Sequence, residues 1–436
     1  MKANKMEVME MKKLLFTMAF PIIISMVIQS LYNIVDSMFV ARISNEALMA
    51  VSLCYPVQTI MIAVACGTGV GINAMLSRYL GQKEGMKANA IAWHGIVLSL
   101  CNGLFFALFG IFFTDAFLSL FTQNTEVIQL GISYLTICCG LSFTVFVQIT
   151  YERFMQATGH SFYNMIMQGI GALLNIVLDP IFIFGFHLGV RGAAIATVIG
   201  QFVAMLIGIW IVVNKVNEIH VHPLSLDSYY FYQIYKIGIP AIIIQSILSF
   251  MTVFMNMILV SISSLAVSVF GIYFKMEQFV YMAISGLNNA LIPIVSYNYG
   301  AQNSQRIQEA IRYAICATIG IMLIGTFLFE CFPSQLLSCF NAEKEMFEIG
   351  IPCLRICSLA FVCSGISVTI CSILQSINRP NESLCITLLR QMILLIPLAY
   401  FMMHCFGLEI GWFSFPITEV ICMFISIYLY KRKSSD

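Results

Sequence analysis

Twelve long apolar segments, separated by short polar connections, dominate this sequence and restrict the folds open to it. They lie near residues 14–40, 47–74, 91–113, 127–150, 162–184, 192–213, 233–259, 265–293, 309–330, 346–376, 384–404 and 409–430. About 20 apolar residues suffice to cross the hydrocarbon core of a bilayer as a helix. Backbone groups in lipid must be paired within the span, so each segment is expected to be helical. The sequence therefore predicts an all-α membrane protein with twelve transmembrane helices.

The composition agrees with this fold class and excludes several functions. The chain is 60% hydrophobic and 10% charged, whereas a soluble domain is about 45–50% apolar and about 25% charged. A net charge of +1 without a basic tract gives no reason to expect a nucleic-acid partner. The fifteen cysteines form no C-x-x-C pair, which favours packing over disulfide or metal chemistry. No cofactor is predicted.

Lysine and arginine distribute unevenly among the connections. Seventeen of the 22 fall on the side of the N-terminus, Lys2, Arg390 and Lys433 among them, and three fall on the opposite side. Cytoplasmic loops carry the excess of positive charge, so both termini are predicted to be cytoplasmic in a multi-pass cell-membrane protein. The first apolar segment is too long for a signal-peptide core and is interpreted as an uncleaved span.

The two halves of the chain resemble each other at an offset of 219 residues. This offset pairs Pro21 with Pro240, Gly81 with Gly300, Gly131 with Gly350, Gln156 with Gln375, and Gly192 with Gly411. We therefore predict two pseudo-symmetric six-helix lobes, an N-lobe over 1–213 and a C-lobe over 231–436, with a cytoplasmic linker over 214–230. Parallel repeats of this kind are a known transporter plan, and substrates bind near the midplane where the repeats meet.

Polar side chains line one face of the first apolar segment. Gln29, Asn33 and Asp36 follow one another at i, i+4 and i+7, which is one side of a helix, and Tyr32 flanks them. Charged groups at the centre of a membrane helix cost about 2.5–3.5 kcal/mol on insertion scales, so Asp36 is a candidate functional residue.

The fifth and sixth segments carry a similar polar set. Gln168, Asn175 and Asp179 lie at i, i+7 and i+11 of the fifth, and Thr197 and Gln201 lie four apart in the sixth. Polar residues in spans face the bundle interior. Helix–helix hydrogen bonding is an alternative that suits the amides, but it does not require carboxylates.

The two carboxylates predict a proton or cation site. Burial favours the neutral form of a carboxyl group, and a second carboxylate nearby strengthens this effect and couples the two titrations. Pro180 removes a backbone donor beside Asp179 and could expose carbonyl oxygen to a cation or a water molecule. Asp36 and Asp179 would be metal ligands only if the ion is Na⁺.

The second half lacks this set. At the repeat offset Asp36 meets Met255, and an offset of 217 pairs Asp179 with Ile396. Met255 is a candidate for a soft substrate-binding lining, with core packing as the alternative. Glu277 is a candidate for meeting cationic substrates, and neutralisation by Lys275 is the alternative.

The sequence resembles the multidrug and toxic compound extrusion (MATE) family over essentially its whole length. The motifs are Pro21 with Asp36, Arg78-Tyr-Leu-Gly81, Asn175-Ile-Val-Leu-Asp179-Pro180, Gly189-Val-Arg-Gly192 with Thr197, and Pro293-Ile-Val-Ser-Tyr-Asn-Tyr-Gly300. The set is most similar to DinF-like and MepA-like members. That resemblance implies an ion-coupling site made by Asp36, Asn175, Asp179 and Thr197. NorM-type members use carboxylates in spans seven and ten, and this chain has none at the corresponding positions.

The resemblance implies a cation-coupled multidrug efflux antiporter, with H⁺ favoured over Na⁺. It would export amphipathic, cationic organic compounds by alternating access and act as a monomer in the lipid bilayer. Gln29, Tyr32, Asn33, Gln168, Gln201, Met255 and Glu277 are the candidate substrate-binding residues. One alternative is a lipid-linked saccharide flippase of the same superfamily. An intramembrane aspartyl protease would require a Gly-x-Gly-Asp motif, which Leu178-Asp179-Pro180 does not match, so no enzyme is predicted.

Overall fold

A computed structural model of the protein describes residues 4–340 and 344–432, which form helices joined by short connections. Lys2 and Lys433, which contribute to the predicted orientation, lie outside the described residues. The helices are α1 (Lys5–Val8), α2 (Met11–Ala41), α3 (Asn45–Gly81), α4 (Gly85–Phe112), α5 (Thr114–Ser119), α6 (Thr125–Gly140), α7 (Phe143–Ala157), α8 (Ser161–Pro180), α9 (Val190–Lys215), α10 (Ser228–Val260), α11 (Ser264–Gly300), α12 (Ser304–Cys331), α13 (Pro333–Ser338), α14 (Lys344–Ser358), α15 (Phe361–Ser376), α16 (Pro380–Leu388), α17 (Leu395–Phe406), α18 (Leu408–Gly411) and α19 (Ser414–Lys431).

The helices account for the predicted membrane spans. Within the described residues, ten helices are long and apolar enough to cross a membrane, and the number reaches twelve if two bent pairs each count as one span. The bent pairs are α6 with α7, at 44°, and α14 with α15, at 49°. Two other spans contain a π-helical turn, over Ile181–Gly185 and over Leu389–Ile393. The all-α membrane fold is thereby confirmed, and the described residues contain no strand.

The chain divides into two compact units. The first comprises Met1–Met9, Phe16–Ile242 and Ser296–Gln302, and the second comprises Glu10–Leu15, Ile243–Val295 and Asn303–Asp436. One core of the first unit is built from small and aliphatic side chains, Cys54, Leu135 and Ala194 among them. The core of the second unit is rich in aromatic rings, with Phe270 stacked on Trp412.

Equivalent positions of the two repeats pack in equivalent ways. A Cβ atom added to Gly131 would lie 2.7 Å from Leu118, and one added to Gly350 would lie 2.9 Å from Leu337. Both pairs are related by the offset of 219, since 131 + 219 = 350 and 118 + 219 = 337. The predicted repeat therefore extends to individual side-chain contacts within each unit.

The C-terminal ends of α3 and α11 cross within the first unit with their backbones in contact. A Cβ atom on Gly81 would lie 2.0 Å from the carbonyl oxygen of Tyr297, and one on Gly300 would lie 2.1 Å from that of Arg78. The Arg78 guanidinium lies over the Tyr299 ring, 5.1 Å from its centroid. Only glycine allows this approach, which explains why the Arg78–Gly81 and Tyr297–Gly300 motifs occur together.

The connection between α9 and α10 covers residues 216–227, so it is shorter than the linker predicted over 214–230. It is tied to α4 by two hydrogen bonds. The His220 N–H donates to Oδ1 of Asn89 at 2.8 Å, and the Asp227 N–H donates to Nε2 of buried His94 at 2.9 Å. These two bonds hold the connection against α4 in its first half and at its end.

Candidate ion-binding site

The carboxyl groups of Asp36 on α2 and Asp179 on α8 interact directly with each other. Asp179 has no exposed surface and Asp36 is half-buried. The Oδ1 atom of Asp36 is buried and has no hydrogen-bond partner within the described part of the chain. Two ionised carboxylates repel each other and cannot donate a hydrogen bond, so a shared proton or a bound cation would stabilise the pair.

Asn175 connects this pair to α9. In the orientation of the amide that satisfies both neighbours, its nitrogen donates to Oδ2 of Asp179 at 3.2 Å. Its oxygen then accepts from the Thr197 backbone N–H at 3.1 Å and from the Thr197 hydroxyl at 3.2 Å. The structure thus brings together Asp36, Asn175, Asp179 and Thr197, the set from three separate segments that the family resemblance implied.

Two glycines permit the contact between Asn175 and Thr197. Gly171 on α8 and Gly200 on α9 face each other, and a Cβ atom on Gly200 would lie 2.8 Å from the Gly171 carbonyl oxygen. A Cβ atom on Gly171 would lie 3.0 Å from the Gly200 carbonyl oxygen. Larger side chains would separate the two helices, so these glycines set the distance across which Asn175 reaches Thr197.

Pro180 and the π-helical turn that follows it define the end of the site on α8. Proline has no N–H group, and the helix widens immediately after it, over Ile181–Gly185. The start of α9 packs on this turn, because a Cβ atom on Gly192 would lie 2.7 Å from the Phe182 carbonyl oxygen. The predicted break beside Asp179 therefore takes the form of a widened turn that α9 covers.

Two tyrosines surround the carboxylates. The Tyr32 hydroxyl interacts electrostatically with both Asp36 and Asp179, and Tyr134 on α6 interacts with Asp36. The Tyr134 hydroxyl accepts a hydrogen bond of 3.2 Å from Gln58 on α3. The sequence reasoning identified Tyr32 but missed Tyr134 and Gln58. An amide inside the second apolar segment was the available signal for Gln58.

The other polar candidates of the first unit form no hydrogen bond with Asp36 or Asp179 among the described residues. Gln29 and Asn33 are exposed and make no side-chain hydrogen bond within the described ranges. Gln201 accepts a hydrogen bond of 3.3 Å from the Thr144 hydroxyl. Gln168 donates to Oε2 of Glu152 at 2.6 Å instead of contacting Asp179. The predicted polar stripes therefore divide between different sites.

A buried polar network around Glu152 was missed by the sequence reasoning, which ended the fourth segment at residue 150. Helix α7 continues to Ala157, and Gln156 donates to Oε1 of Glu152 at 2.9 Å. The Arg153 guanidinium donates to Oε1 of Gln156 at 2.8 Å. The spacing of Glu152 and Gln156, four residues apart in an apolar context, was the signal that could have indicated it.

The second unit holds the remaining two candidates in different surroundings. Met255 is fully buried in the core and offers no surface to a ligand here. Glu277 accepts a hydrogen bond of 3.0 Å from the Tyr273 hydroxyl and interacts with Arg390. Lys275 is exposed and forms no ion pair with Glu277 among the described residues.

The chemistry available to the Asp36–Asp179 pair is proton or cation binding. The described residues contain no group of three or more His, Cys, Asp or Glu side chains that could hold a metal ion. A hard cation such as Na⁺ would have to be bound by carboxylate, amide and hydroxyl oxygens. With its nitrogen facing Asp179, the Asn175 amide directs no oxygen at the pair.

Comparison with known proteins gives the same architecture. A family model named MatE matches residues 21–181 and 240–401, and the two matches begin 219 residues apart (240 − 21). Multidrug export protein MepA of Staphylococcus haemolyticus is 26% identical over 96% of this chain and 92% of its own length. The Staphylococcus aureus protein of the same name is also 26% identical, over 97% and 94%.

A solved structure extends the similarity to three dimensions. It is described as the outward-facing conformation of a multidrug resistance MATE family transporter of the MOP superfamily. That protein is 25% identical, the match covers 100% of this chain and 98% of the other, and the TM-score is 0.93. The MatE model matches most of the sequence and does so once in each half. The chain therefore belongs to the MatE family, the multidrug and toxic compound extrusion transporters that its motifs resemble, and it is a transporter, not an enzyme.

Proposed function

We propose that this protein is an H⁺-coupled multidrug efflux antiporter that exports amphipathic, cationic organic compounds by alternating access. The observation that carries the proposal is the contact between two carboxyl groups, Asp36 and Asp179, inside a membrane protein of this family. The proposal agrees with the names of relatives, which are called multidrug export proteins. A buried pair of carboxylates can release and rebind one proton in each transport cycle.

H⁺ is favoured over Na⁺ by the donor set. The preferred orientation of Asn175 gives Asp179 a hydrogen-bond donor and gives its oxygen to Thr197. A Na⁺ ion would need that oxygen, and the amide would have to rotate away from two donors on Thr197 to supply it. A proton requires no such rearrangement. Asp36 and Asp179 therefore exchange the proton, while Asn175 and Thr197 hold Asp179 in place.

The remaining parts of the proposal concern orientation and substrate. The excess of lysine and arginine on one side supports cytoplasmic termini in the cell membrane. Gln29, Tyr32 and Asn33 lie on the α2 face that carries Asp36, and we propose that they contact the substrate when the site is loaded. A second copy of the chain is not needed for this site, because the first unit supplies every residue of it.

Transport in proteoliposomes under separately imposed pH and Na⁺ gradients tests the proposal. We expect efflux of a cationic dye driven by a pH gradient at zero Na⁺, and no efflux driven by a Na⁺ gradient at uniform pH. Transport driven by Na⁺ alone would contradict H⁺ coupling. Failure with every organic cation, combined with movement of a lipid-linked saccharide between leaflets, would favour the flippase.

A further inference from the structure

A second cluster of charged groups lies inside the second unit, apart from the Asp36–Asp179 pair. Arg390, in the π-helical turn after α16, forms an ion pair with Glu419 on α19, with Nε and Oε1 separated by 2.9 Å. The side chains are only 9% and 13% exposed. Glu277 on α11 interacts electrostatically with both members of this pair. None of these three residues lies in span seven or span ten.

The charges of this cluster do not balance when all three groups are ionised. Arg390 stays protonated under all ordinary conditions and supplies one positive charge, whereas Glu277 and Glu419 would supply two negative charges. Other groups near them are neutral hydroxyls and thiols. They are Tyr273, Tyr281, Cys357, Ser364, Cys363, Cys371 and Cys422. A surplus negative charge in a buried site is costly unless a cation neutralises it.

Two buried atoms of the cluster have no hydrogen-bond partner among the described residues. They are Nε of Arg390, which lies near Glu419 without forming a well-aligned hydrogen bond, and Oε2 of Glu419. Oε1 of Glu277, by contrast, accepts from the Tyr273 hydroxyl at 3.0 Å. If Glu277 is protonated, its own hydroxyl becomes a donor in a cluster that already contains an unsatisfied carboxylate oxygen.

We propose that Glu277, Arg390 and Glu419 form a second proton-binding site that holds one H⁺, carried by Glu277. Glu419 stays ionised because it pairs directly with Arg390. Glu277 takes the proton because it forms no direct ion pair with Arg390 among the described residues, and the Tyr273 hydroxyl that donates to it carries no charge that could balance an ionised carboxylate. The described residues offer this cluster no third carboxylate or imidazole that would complete a metal site. This proposal is independent of which ion binds at Asp36 and Asp179.

Charge counting makes a specific prediction about variants. Replacing either glutamate with glutamine leaves one guanidinium and one carboxylate, which is neutral without a proton. Glu277→Gln and Glu419→Gln should therefore both abolish the bound proton, although only one of these residues carries it. Arg390→Gln should have the opposite effect, because two carboxyl groups without a guanidinium would both be protonated.

Infrared spectroscopy of the full-length protein in bilayers tests the proposal through the carbonyl stretch of a protonated carboxyl group. The background carries Asp36→Asn and Asp179→Asn, which removes any signal from that pair and any dependence on the proposed transport mechanism. At neutral pH exposed carboxyl groups are ionised. We expect one protonated-carboxyl band, its loss with either glutamine variant, and an increase to about twofold with Arg390→Gln.

Two results would overturn the proposal. One is the absence of the band at neutral pH, together with thermal stabilisation by Na⁺ that Glu277→Gln removes, which would indicate a metal cation. The other is a band that neither glutamine variant changes. Far-ultraviolet circular dichroism checks that each variant is folded. Two different variants must lose the same band, so misfolding of one of them leaves the other as the test.

Discussion

Asp36 is the residue on which the proposed coupling depends most directly. We expect Asp36→Asn to abolish dye efflux, because an amide cannot exchange a proton and leaves Asp179 without its partner. The variant should insert and melt like the wild type, since asparagine has almost the same volume. Asp115→Asn, an exposed aspartate on α5, is the matched control and should retain efflux. Wild-type efflux by Asp36→Asn, measured in proteoliposomes, would refute the coupling role.

Thr197 tests the orientation of the Asn175 amide. Thr197→Val keeps the shape of the side chain but removes the hydroxyl that donates to the amide oxygen. We expect the free energy of unfolding to fall by about 0.5–1.5 kcal/mol, the usual net contribution of one hydrogen bond, because the Thr197 backbone N–H still donates to the amide oxygen. Thr197→Ser keeps the donor and should remain close to wild type in thermal unfolding. Equal damage by both variants would mean that the hydroxyl does not hold Asn175.

We expect His160, in the connection between α7 and α8, to make the stability of the protein depend on pH. Burial lowers the pKa of His160 from its ordinary value of 6.5, and nearby Lys5 lowers it further, although Glu218 raises it. Because the unfolded chain binds this proton first, stability falls as the pH drops through the ordinary value. His160→Gln should flatten the decline of the melting temperature between pH about 7.5 and about 5.5. An unchanged slope would contradict this.

The packing of helix α8 on α9 determines the geometry of the ion site at the scale of whole elements. Gly200→Ala would place a methyl group 2.8 Å from the Gly171 carbonyl oxygen. We expect separation of the helices and a loss of about 1–3 kcal/mol in unfolding free energy, as for other overpacked contacts. Efflux should fall as well, because Asn175 would lose contact with Thr197.

Gly320 on α12 provides the control for that substitution. A Cβ atom there would meet nothing within 4 Å. Gly320→Ala should leave efflux unchanged and raise the stability by up to about 1 kcal/mol, since alanine is the better helix former. If Gly200→Ala behaves like Gly320→Ala in thermal unfolding and transport, the close approach of α8 and α9 is not required.

A predicted side-chain contact formed only where two residues share both a helix face and a similar height along the helix axis. Gln168 shares a helical face with Asp179, but eleven residues separate them, or about 16 Å along the axis. Gln168 therefore reaches Glu152 on α7 instead. Asn175 is one turn from Asp179 and does reach it. Sequence spacing indicates a shared face, whereas contacts also require the same height in the membrane.

Features of the whole molecule were predictable to the extent that they depend on local pattern. The lengths of the apolar segments predicted the number of spans. The prolines and glycines that recur in both halves predicted the offset of 219 residues, and the two matches to the MatE model begin at the same offset. The pairing of Arg390 with Glu419 was not predictable. Arg390 was counted only among the charges on the side of the N-terminus, and its partner is 29 residues away (419 − 390), so only tertiary packing brings them together.

Gly81 on α3 and Gly300 on α11, which occupy equivalent positions of the two repeats, each pack on the backbone of the other helix, so we expect their effects on stability to be coupled. Gly81→Ala and Gly300→Ala should each destabilise the protein, because each methyl group would lie about 2 Å from a backbone oxygen on the other helix. The double variant should lose less than the sum of the two, since one substitution already separates the helices. Thermal unfolding of the four proteins measures this, and strict additivity would mean that the two contacts are independent.

The packing of Gly131 on Leu118, repeated as Gly350 on Leu337, is the pattern expected if the two halves arose by gene duplication. A duplicated ancestral gene would produce both pairs in one event, and each copy has kept its steric fit. The carboxylates diverged, since Asp36 corresponds to Met255. We expect a chimera in which helices α5 and α6 are exchanged with helices α13 and α14 to retain the leucine-to-glycine contact in each copy.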